Sequence, residues 1–204
     1  MIETLISFAF ATLVLAISPG PDNVFVLTQS IVSGKKFGLA VVLGLMTGCL
    51  VHTTLVAFGM SSLIKNNENI FFTIKLFGAS YLLYLAFKIY KGSSEIVFTT
   101  EKKEEKTILQ LFKTGFLMNV LNPKVTLFFL AFFPQFLFSE EISTVLQFYI
   151  LGFLFVLISF LIFGAIAILG EKISEYLTKH KKIGFFLKWA QIIVFVAIAV
   201  LLFV

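Results

Sequence analysis

The chain has 204 residues, of which 59% are hydrophobic and 13% charged. Soluble domains average about 25% charged residues, and a mean hydropathy of +1.02 would leave a soluble fold with extensive exposed apolar surface. Soluble, disordered, disulfide-framed and nucleic-acid-binding classes are therefore excluded, and one polytopic transmembrane domain is predicted. The single cysteine, Cys49, excludes an internal disulfide or a multi-thiol metal site. We expect neither a metal nor a cofactor.

Six apolar stretches follow one another along the chain, each long enough to cross a bilayer as a helix of roughly 20 residues. They cover residues 5–32, 37–64, 70–90, 112–138, 144–169 and 183–204. The first also resembles a signal peptide, but Glu3 occupies the position of the required basic start and the apolar run continues. The sequence thus predicts an all-α polytopic membrane protein with six transmembrane helices. Its three parts are a three-helix repeat (1–90), a cytoplasmic linker (91–111) and a second three-helix repeat (112–204).

The lysines predict the orientation of these spans. All 16 basic residues are lysines, and thirteen of them lie in or beside the connections 33–36, 91–111 and 170–182, whereas Lys65 lies alone on the opposite side. Positively charged loops remain in the cytoplasm, so we expect these three connections inside and both termini outside. The alternating charges of 101–106 indicate a solvated linker or, alternatively, a helix lying on the membrane surface.

Helix-breaking residues interrupt the centres of the first and fourth stretches. The first contains Ser18-Pro19-Gly20-Pro21-Asp22-Asn23, and the fourth contains Asn119 and Asn122-Pro123-Lys124. Proline removes a backbone donor and clashes with the preceding turn, so helices 1 and 4 are expected to break at the midplane. Because each half has an odd number of spans, the second half enters from the opposite side. Inverted repeats with paired broken helices are typical of secondary transporters, although two prolines can also simply kink packed helices.

The predicted substrate-binding residues lie at these breaks. They are Pro19, Gly20, Pro21, Asp22, Asn23, Asn119, Asn122, Pro123 and Lys124. A charge at the bilayer centre costs roughly 2.5–3.5 kcal/mol on insertion scales, so Asp22 and Lys124 are functional candidates. Asp22 can hold an ammonium group or carry a proton, and Lys124 can hold a carboxylate. Alternatively the two pair with each other and brace the bundle, and substrate can replace that pair.

Two further residues are candidates for coupling, together with Asp22. His52 lies three positions after Cys49, a weak metal spacing, and it is interpreted as a packed histidine or a proton relay. Lys75 lies within the third span, where its long stem can reach the outer surface. Gly44 and Gly48 form a small-residue pair that favours close helix packing or a homodimer contact.

Catalytic motifs and a P-loop are missing from the sequence. We therefore expect that the protein is not an enzyme and that an ion or proton gradient, or downhill flow, drives transport. Export of another small solute or a metal cation is an alternative, as is a non-transport membrane scaffold.

The motifs resemble those of the LysE/RhtB family of amino-acid exporters over essentially the whole chain. The matching residues are Ser18-Pro19-Gly20-Pro21-Asp22-Asn23, Gly38, Gly44, Gly48, Lys75, Gly78, Ala79, Tyr81, Leu82, Gly115-Phe116, Asn119, Asn122-Pro123-Lys124 and Pro134-Gln135-Phe136. The chain departs from the pattern at Ala190-Gln191, where a glycine-rich step is expected.

The resemblance implies a bacterial inner-membrane protein that exports amino acids or close derivatives by proton antiport. Its expected partners are an amino-acid substrate, protons and lipid. One acidic residue at depth favours a small neutral substrate, such as threonine, homoserine or leucine, over a dicationic one.

Overall fold

A computed structural model describes residues 1–18, 20–66, 68–92, 106–179 and 182–203, and this part of the chain is built of helices and short turns. The helices are α1 (Ile2–Ile17), α2 (Pro21–Ser33), α3 (Lys35–Asn66), α4 (Glu68–Lys91), α5 (Ile108–Val120), α6 (Pro123–Leu127), α7 (Thr144–Ile168), α8 (Gly170–Lys179) and α9 (Lys182–Leu201). A π-helical turn (Phe128–Phe132) and a 3-10 turn (Phe133–Phe136) follow α6 directly.

Within the described residues, four helical segments are long and apolar enough to cross a membrane. They are Lys35–Met60, Asn69–Lys91, Thr144–Ile168 and Ile183–Leu201. Two bent segments meet the same requirement as pairs: α1 with α2, bent by 58°, and Ile108–Val120 with Pro123–Phe136, bent by 48°. The chain is therefore a multi-pass, all-α membrane protein with four apolar spans, or six if each bent pair forms one span.

Proline and asparagine account for the places where the bent pairs change direction. α2 begins at Pro21 after an extended Gly20, and proline suits the first helical position because the amide hydrogen it lacks would have no partner there. Pro123 occupies the same position in α6. Asn122 caps that start, since its Oδ1 accepts from the backbone nitrogen of Lys124 at 3.0 Å. Pro19 lies outside the described residues.

Helix α3 is the centre of the bundle and packs against α2, α5 and α7. Its crossing with α5 depends on glycine: a β-carbon at Gly44 would overlap the backbone carbonyl of Phe112, and one at Gly115 would overlap that of Val41. Small residues allow such close backbone approach between membrane helices. Gly44 and Gly48 therefore pack against α5 within the chain.

Helices α4 and α9 form an antiparallel pair at the side of this bundle. Lys188, near the start of α9, donates to the carbonyl of Gly92 at the end of α4 at 2.6 Å. Lys75, near the start of α4, places its ammonium 5.8 Å from the ring centre of Phe203 at the end of α9. Each helix thus has a lysine from its partner near its negative, C-terminal end, where a cation is stabilising.

Two local differences from the sequence prediction concern the connections. Residues 170–182, expected as a loop, contain α8, whose charged residues hid it from a search for apolar runs. The predicted linker 91–111 includes the start of α5, where Thr107 and Gln110 cap each other reciprocally. Most of that linker, residues 93–105, lies outside the described residues.

Buried phenylalanines fill the space beside the π-helical turn. The described phenylalanines that are less than 2% exposed are Phe8, Phe128, Phe129, Phe132, Phe133, Phe148 and Phe195. Phe129 stacks on Phe133 with ring centres 4.1 Å apart, and Phe155 of α7 meets Phe129 edge to face at 5.0 Å. This aromatic cluster packs the α6 segment against α7.

Candidate functional site

The two bends meet at one cavity with a volume of about 40 Å³. It lies between α1, α2, α3, α5, α6 and α7, so both halves of the chain contribute to its wall. Seven of the nine residues predicted to bind substrate line it: Gly20, Pro21, Asp22, Asn23, Asn119, Asn122 and Lys124. Pro123 starts α6 without lining the cavity. Pro19 is not among the described residues.

Asn122 connects the two halves directly. Its Nδ2 donates to Oδ2 of Asp22 at 3.1 Å, while its Oδ1 caps α6. A carboxylate in the wall of such a cavity requires a partner, because a buried ion without hydrogen bonds is very costly. The Asp22 side chain is therefore held in place by an amide from the other half.

Lys124 lines the cavity, and its ammonium lies over an aromatic ring of α9. Nζ lies 4.9 Å from the ring centre of Phe195, a distance at which a cation is attracted by an aromatic face. It also approaches the α2 start, 3.7 Å from where a β-carbon at Gly20 would stand. The absence of a side chain at Gly20 leaves this approach open.

Asp22 and Lys124 attract each other without forming an ion pair. Among the described residues the ion pair within 4.0 Å is Lys179 with Glu175, on the exposed face of α8. The direct bracing pair considered from the sequence is thus not formed in this structure. Asp22 instead accepts from Asn122, and the ammonium of Lys124 lies over the ring of Phe195.

Asn23 and Asn119 stabilise the wall of the cavity. Asn23 Nδ2 donates at 2.8 Å to the carbonyl of Ala16 in the last turn of α1, where the bend leaves carbonyls without helical partners. Asn119 Nδ2 donates to Sγ of Cys49 at 3.4 Å. These two amides satisfy groups that lipid cannot.

The other coupling candidates lie outside the cavity wall. His52 is buried one step behind it, where Nε2 donates to the carbonyl of Asn119 at 3.1 Å. Lys75 lies between the rings of Phe71 and Phe203, at 5.3 and 5.8 Å, at the far end of the α4–α9 pair. The structure therefore brings His52 near the site and leaves Lys75 away from it.

Three residues of α7 complete the wall and were not predicted from the sequence: Phe155, Ser159 and Phe163. Phenylalanines are too frequent in this chain to stand out. The sequence does carry one indication of Ser159 as a site residue, since it is the only hydroxyl residue in 150–168. Polar residues inside a span are functional candidates, but an uncharged serine is easily overlooked beside Asp22 and Lys124.

An all-helical, multi-pass protein with a charged cavity at two helix bends has features typical of membrane transport proteins. The comparison with protein families agrees, and the chain belongs to the LysE type translocator family, whose model matches residues 13–204. The family resemblance seen in the motifs is thereby confirmed.

Curated relatives are similar over most of their length. The chain is 27% identical over 176 residues to the homoserine/homoserine lactone efflux protein of Salmonella typhimurium LT2, covering 86% of this chain and 84% of the relative. The protein of the same description from Salmonella typhi has the same identity and coverage. No solved structure matches the chain.

Proposed function

We propose that this protein is a secondary transporter that exports small neutral amino acids from the bacterial cytoplasm in exchange for protons. The observation that carries the proposal is the placement of Asp22 and Lys124 around one cavity without an ion pair between them. A zwitterionic amino acid has the two complementary charges a short distance apart. Its ammonium group is placed at Asp22, and its carboxylate at Lys124 and the α2 start, whose free backbone amides favour anions.

The relatives' names support efflux of an amino-acid type of solute, including a lactone. A lactone of this kind retains the ammonium group and has no free carboxylate. Asp22 is then the shared anchor for both compounds, and Lys124 serves the carboxylate form. Close derivatives of amino acids therefore form the second candidate substrate class.

The proposed architecture is six spans in two inverted three-helix halves, with the bends of α1–α2 and α5–α6 at the midplane. The packing supports it. In this arrangement α1 corresponds to α5, α3 to α7 and α4 to α9. The contact between α3 and α5 then corresponds to the contact between α7 and α1, and both are present. The α3–α7 and α4–α9 contacts each join two corresponding helices. The lysines at the two ends of the α4–α9 pair correspond in the same way. An odd number of spans per half then requires inversion.

Proton coupling is assigned to Asp22, whose carboxylate takes a proton or an ammonium group, but not both. His52 is hydrogen-bonded to the backbone of Asn119, which lines the cavity, and we propose it as a candidate proton relay. Lys75 is assigned a structural role at the α4–α9 pair. A homodimer stays a prediction, and Gly44 and Gly48 are not free to form it because they pack against α5.

The size of the cavity implies motion during transport. A volume of about 40 Å³ holds about three water molecules, which is less than a whole amino acid occupies. Substrate entry therefore requires the walls to part, as expected when the halves of a secondary transporter rock around a fixed site.

Replacing Asp22 by asparagine tests the proposal. Asp22→Asn keeps the shape and removes the charge, so amino-acid efflux from dipeptide-loaded cells should fall at least about tenfold, the effect of losing a charged anchor. Glu171→Gln, an exposed carboxylate of α8, is the matched control and should keep wild-type efflux.

Equal amounts of each variant in the membrane must be verified by immunoblot. Wild-type efflux by Asp22→Asn would refute the assignment of Asp22. In proteoliposomes an imposed proton gradient should accelerate wild-type transport, and a rate independent of the gradient would refute antiport.

A further inference from the structure

The ammonium group of Lys124 has an unusual set of neighbours for a charge inside an apolar span. Within the described part of the chain, its Nζ forms no hydrogen bond and no ion pair. Its stabilising contact is the ring of Phe195, whose centre lies 4.9 Å away. A buried charge without a partner is very costly, so this ring contributes directly to keeping a cation at the cavity.

Phe195 reaches this ammonium from a helix that packs mainly elsewhere. It lies in α9, whose main partner is α4 at the side of the bundle, and its side chain is 1% exposed. Lys124 lines the cavity, whereas Phe195 is not part of the wall. Any effect of this ring on a molecule in the cavity must therefore pass through Lys124.

The start of α2 is the second neighbour of the ammonium, and it is itself positively polarised. A β-carbon at Gly20 would stand 3.7 Å from Nζ, and Gly20 is the residue before the first turn of α2. The backbone amides of a first turn carry partial positive charge. The carboxylate of Asp22 is not within ion-pair distance of Lys124. Two positive groups thus lie side by side without an anion in contact, which favours the binding of a negative group beside them.

An aromatic ring can stabilise a cation without neutralising it. The negative face of the ring attracts the ammonium, and the three hydrogen-bond donors of the lysine are not taken up by a carboxylate. An acidic partner would instead cancel the charge and compete with an incoming anion. Asp22 shows the same principle, since its carboxylate accepts from the neutral amide of Asn122. Both charges at the cavity are thus held by uncharged neighbours.

We infer that Phe195 is a positioning residue, whose ring holds the ammonium of Lys124 at the cavity for the carboxylate of the substrate. The inference rests on the proposed function, in which Lys124 binds that carboxylate. An amino acid then gains a charged hydrogen bond from an ammonium that the ring has already placed. A substrate without a free carboxylate gains nothing from this placement.

Transport kinetics in proteoliposomes that hold the full-length protein test the role of the ring. Phe195→Leu keeps an apolar side chain but loses the aromatic face, so the KM for homoserine should rise about tenfold with little change in kcat. The KM for homoserine lactone, which has no carboxylate, should change little. The control Phe148→Leu removes a ring that is also buried but lies outside the cavity wall, and it should leave both KM values near those of wild type.

Fluorination separates the electrostatic effect of the ring from its packing. A trifluorinated phenylalanine incorporated in place of Phe195 nearly keeps the shape of the side chain and weakens the negative face of the ring. The KM for homoserine should then rise as in Phe195→Leu, and this variant decides the point if Phe195→Leu fails to fold. In a Lys124→Met background, neither change at Phe195 should raise the KM for homoserine further.

The possible results bear on different parts of the inference. Equal rises in KM for homoserine and its lactone, or a rise in Phe195→Leu that fluorination does not reproduce, would assign the effect to packing and overturn the positioning role. An unchanged KM for homoserine in both variants would overturn it as well. A further rise in the Lys124→Met background would show that the ring does not act through Lys124. Wild type that transports neither compound would refute the proposed function itself.

Discussion

Three asparagine side chains stabilise the two helix bends through hydrogen bonds, each at a different place. Asn23 holds the end of α1, Asn122 caps α6 and holds Asp22, and Asn119 contacts Cys49 in the cavity wall. An amide suits this task because it donates and accepts at the same time. The site is thus preorganised around its charges by neutral side chains.

Removing the charge of Lys124 should weaken the binding of substrates that have a free carboxylate more than the binding of substrates that lack one. Lys124→Met keeps a long side chain against Phe195 but loses the ammonium, so the KM for amino acids should rise roughly 10- to 100-fold, the effect of losing a hydrogen bond to a charged group. Homoserine lactone has no carboxylate, and its KM should change far less. Transport assays in proteoliposomes measure both.

Lys172→Met, on the exposed face of α8, is the control and should leave both KM values unchanged. An equal loss for homoserine and its lactone would contradict a carboxylate role for Lys124 and indicate a structural one.

At this scale the sequence could identify the charges but not their arrangement. Asp22 and Lys124 stand out because a charge in an apolar run is costly. Whether they pair depends on side-chain rotamers set by Asn122 and Phe195, which come from other segments of the fold. Ser159 stands out in the sequence only as the one hydroxyl residue of 150–168, and its place in the cavity wall depends on how α7 packs.

Among the elements, the α3–α5 crossing places the second bend against the core. Gly44 and Gly115 allow the two backbones to touch, and Gly48 makes room for Asn119. A methyl group at this contact must push the helices apart, because a packed interior has no spare volume.

Two glycines of α3 therefore predict opposite outcomes for the same substitution. Gly44→Ala should lower the thermal stability in detergent by several degrees, since overpacking costs about 1–3 kcal/mol. At Gly59 a β-carbon meets no atom within 4 Å, so Gly59→Ala should be neutral or stabilising by up to about 1 kcal/mol through helix propensity. Similar melting temperatures for the two variants would contradict the tight crossing.

Long apolar runs explain why most helices could be predicted. The predicted spans 37–64, 70–90 and 144–169 fall within about two residues of α3, α4 and α7, because these runs end at polar residues. Helix α8 could not be found this way, since it is short and charged. The π-helical turn also lacks a local signal: it depends on packing of Phe128 and Phe129 against α7.

On the scale of the whole molecule, the number and direction of the crossings determine which side the cavity can open to. Six spans place the α2–α3 connection and the loop before α7 on opposite sides, with three crossings between them. If the bent α5–α6 segment did not cross, these two connections would share one side.

Cysteine labelling distinguishes the two topologies. Cys49 is 1% exposed, so wild type should give no signal with a membrane-impermeant maleimide. Glu141→Cys, before α7, should label in intact cells, whereas Lys36→Cys, at the start of α3, should label only after permeabilisation. Labelling of both from the same side would contradict the six-span proposal, and an exchanged pattern would reverse the orientation.

The amide of Asn122 hydrogen-bonds to Asp22 through Nδ2 and caps α6 through Oδ1, so it links the carboxylate of one half to the helix start of the other. Turning the amide away from Asp22 would also remove the cap of α6. Under the proposed exchange mechanism, a proton or an ammonium group at Asp22 would compensate for that loss, and a carrier with neither would be disfavoured from changing its conformation.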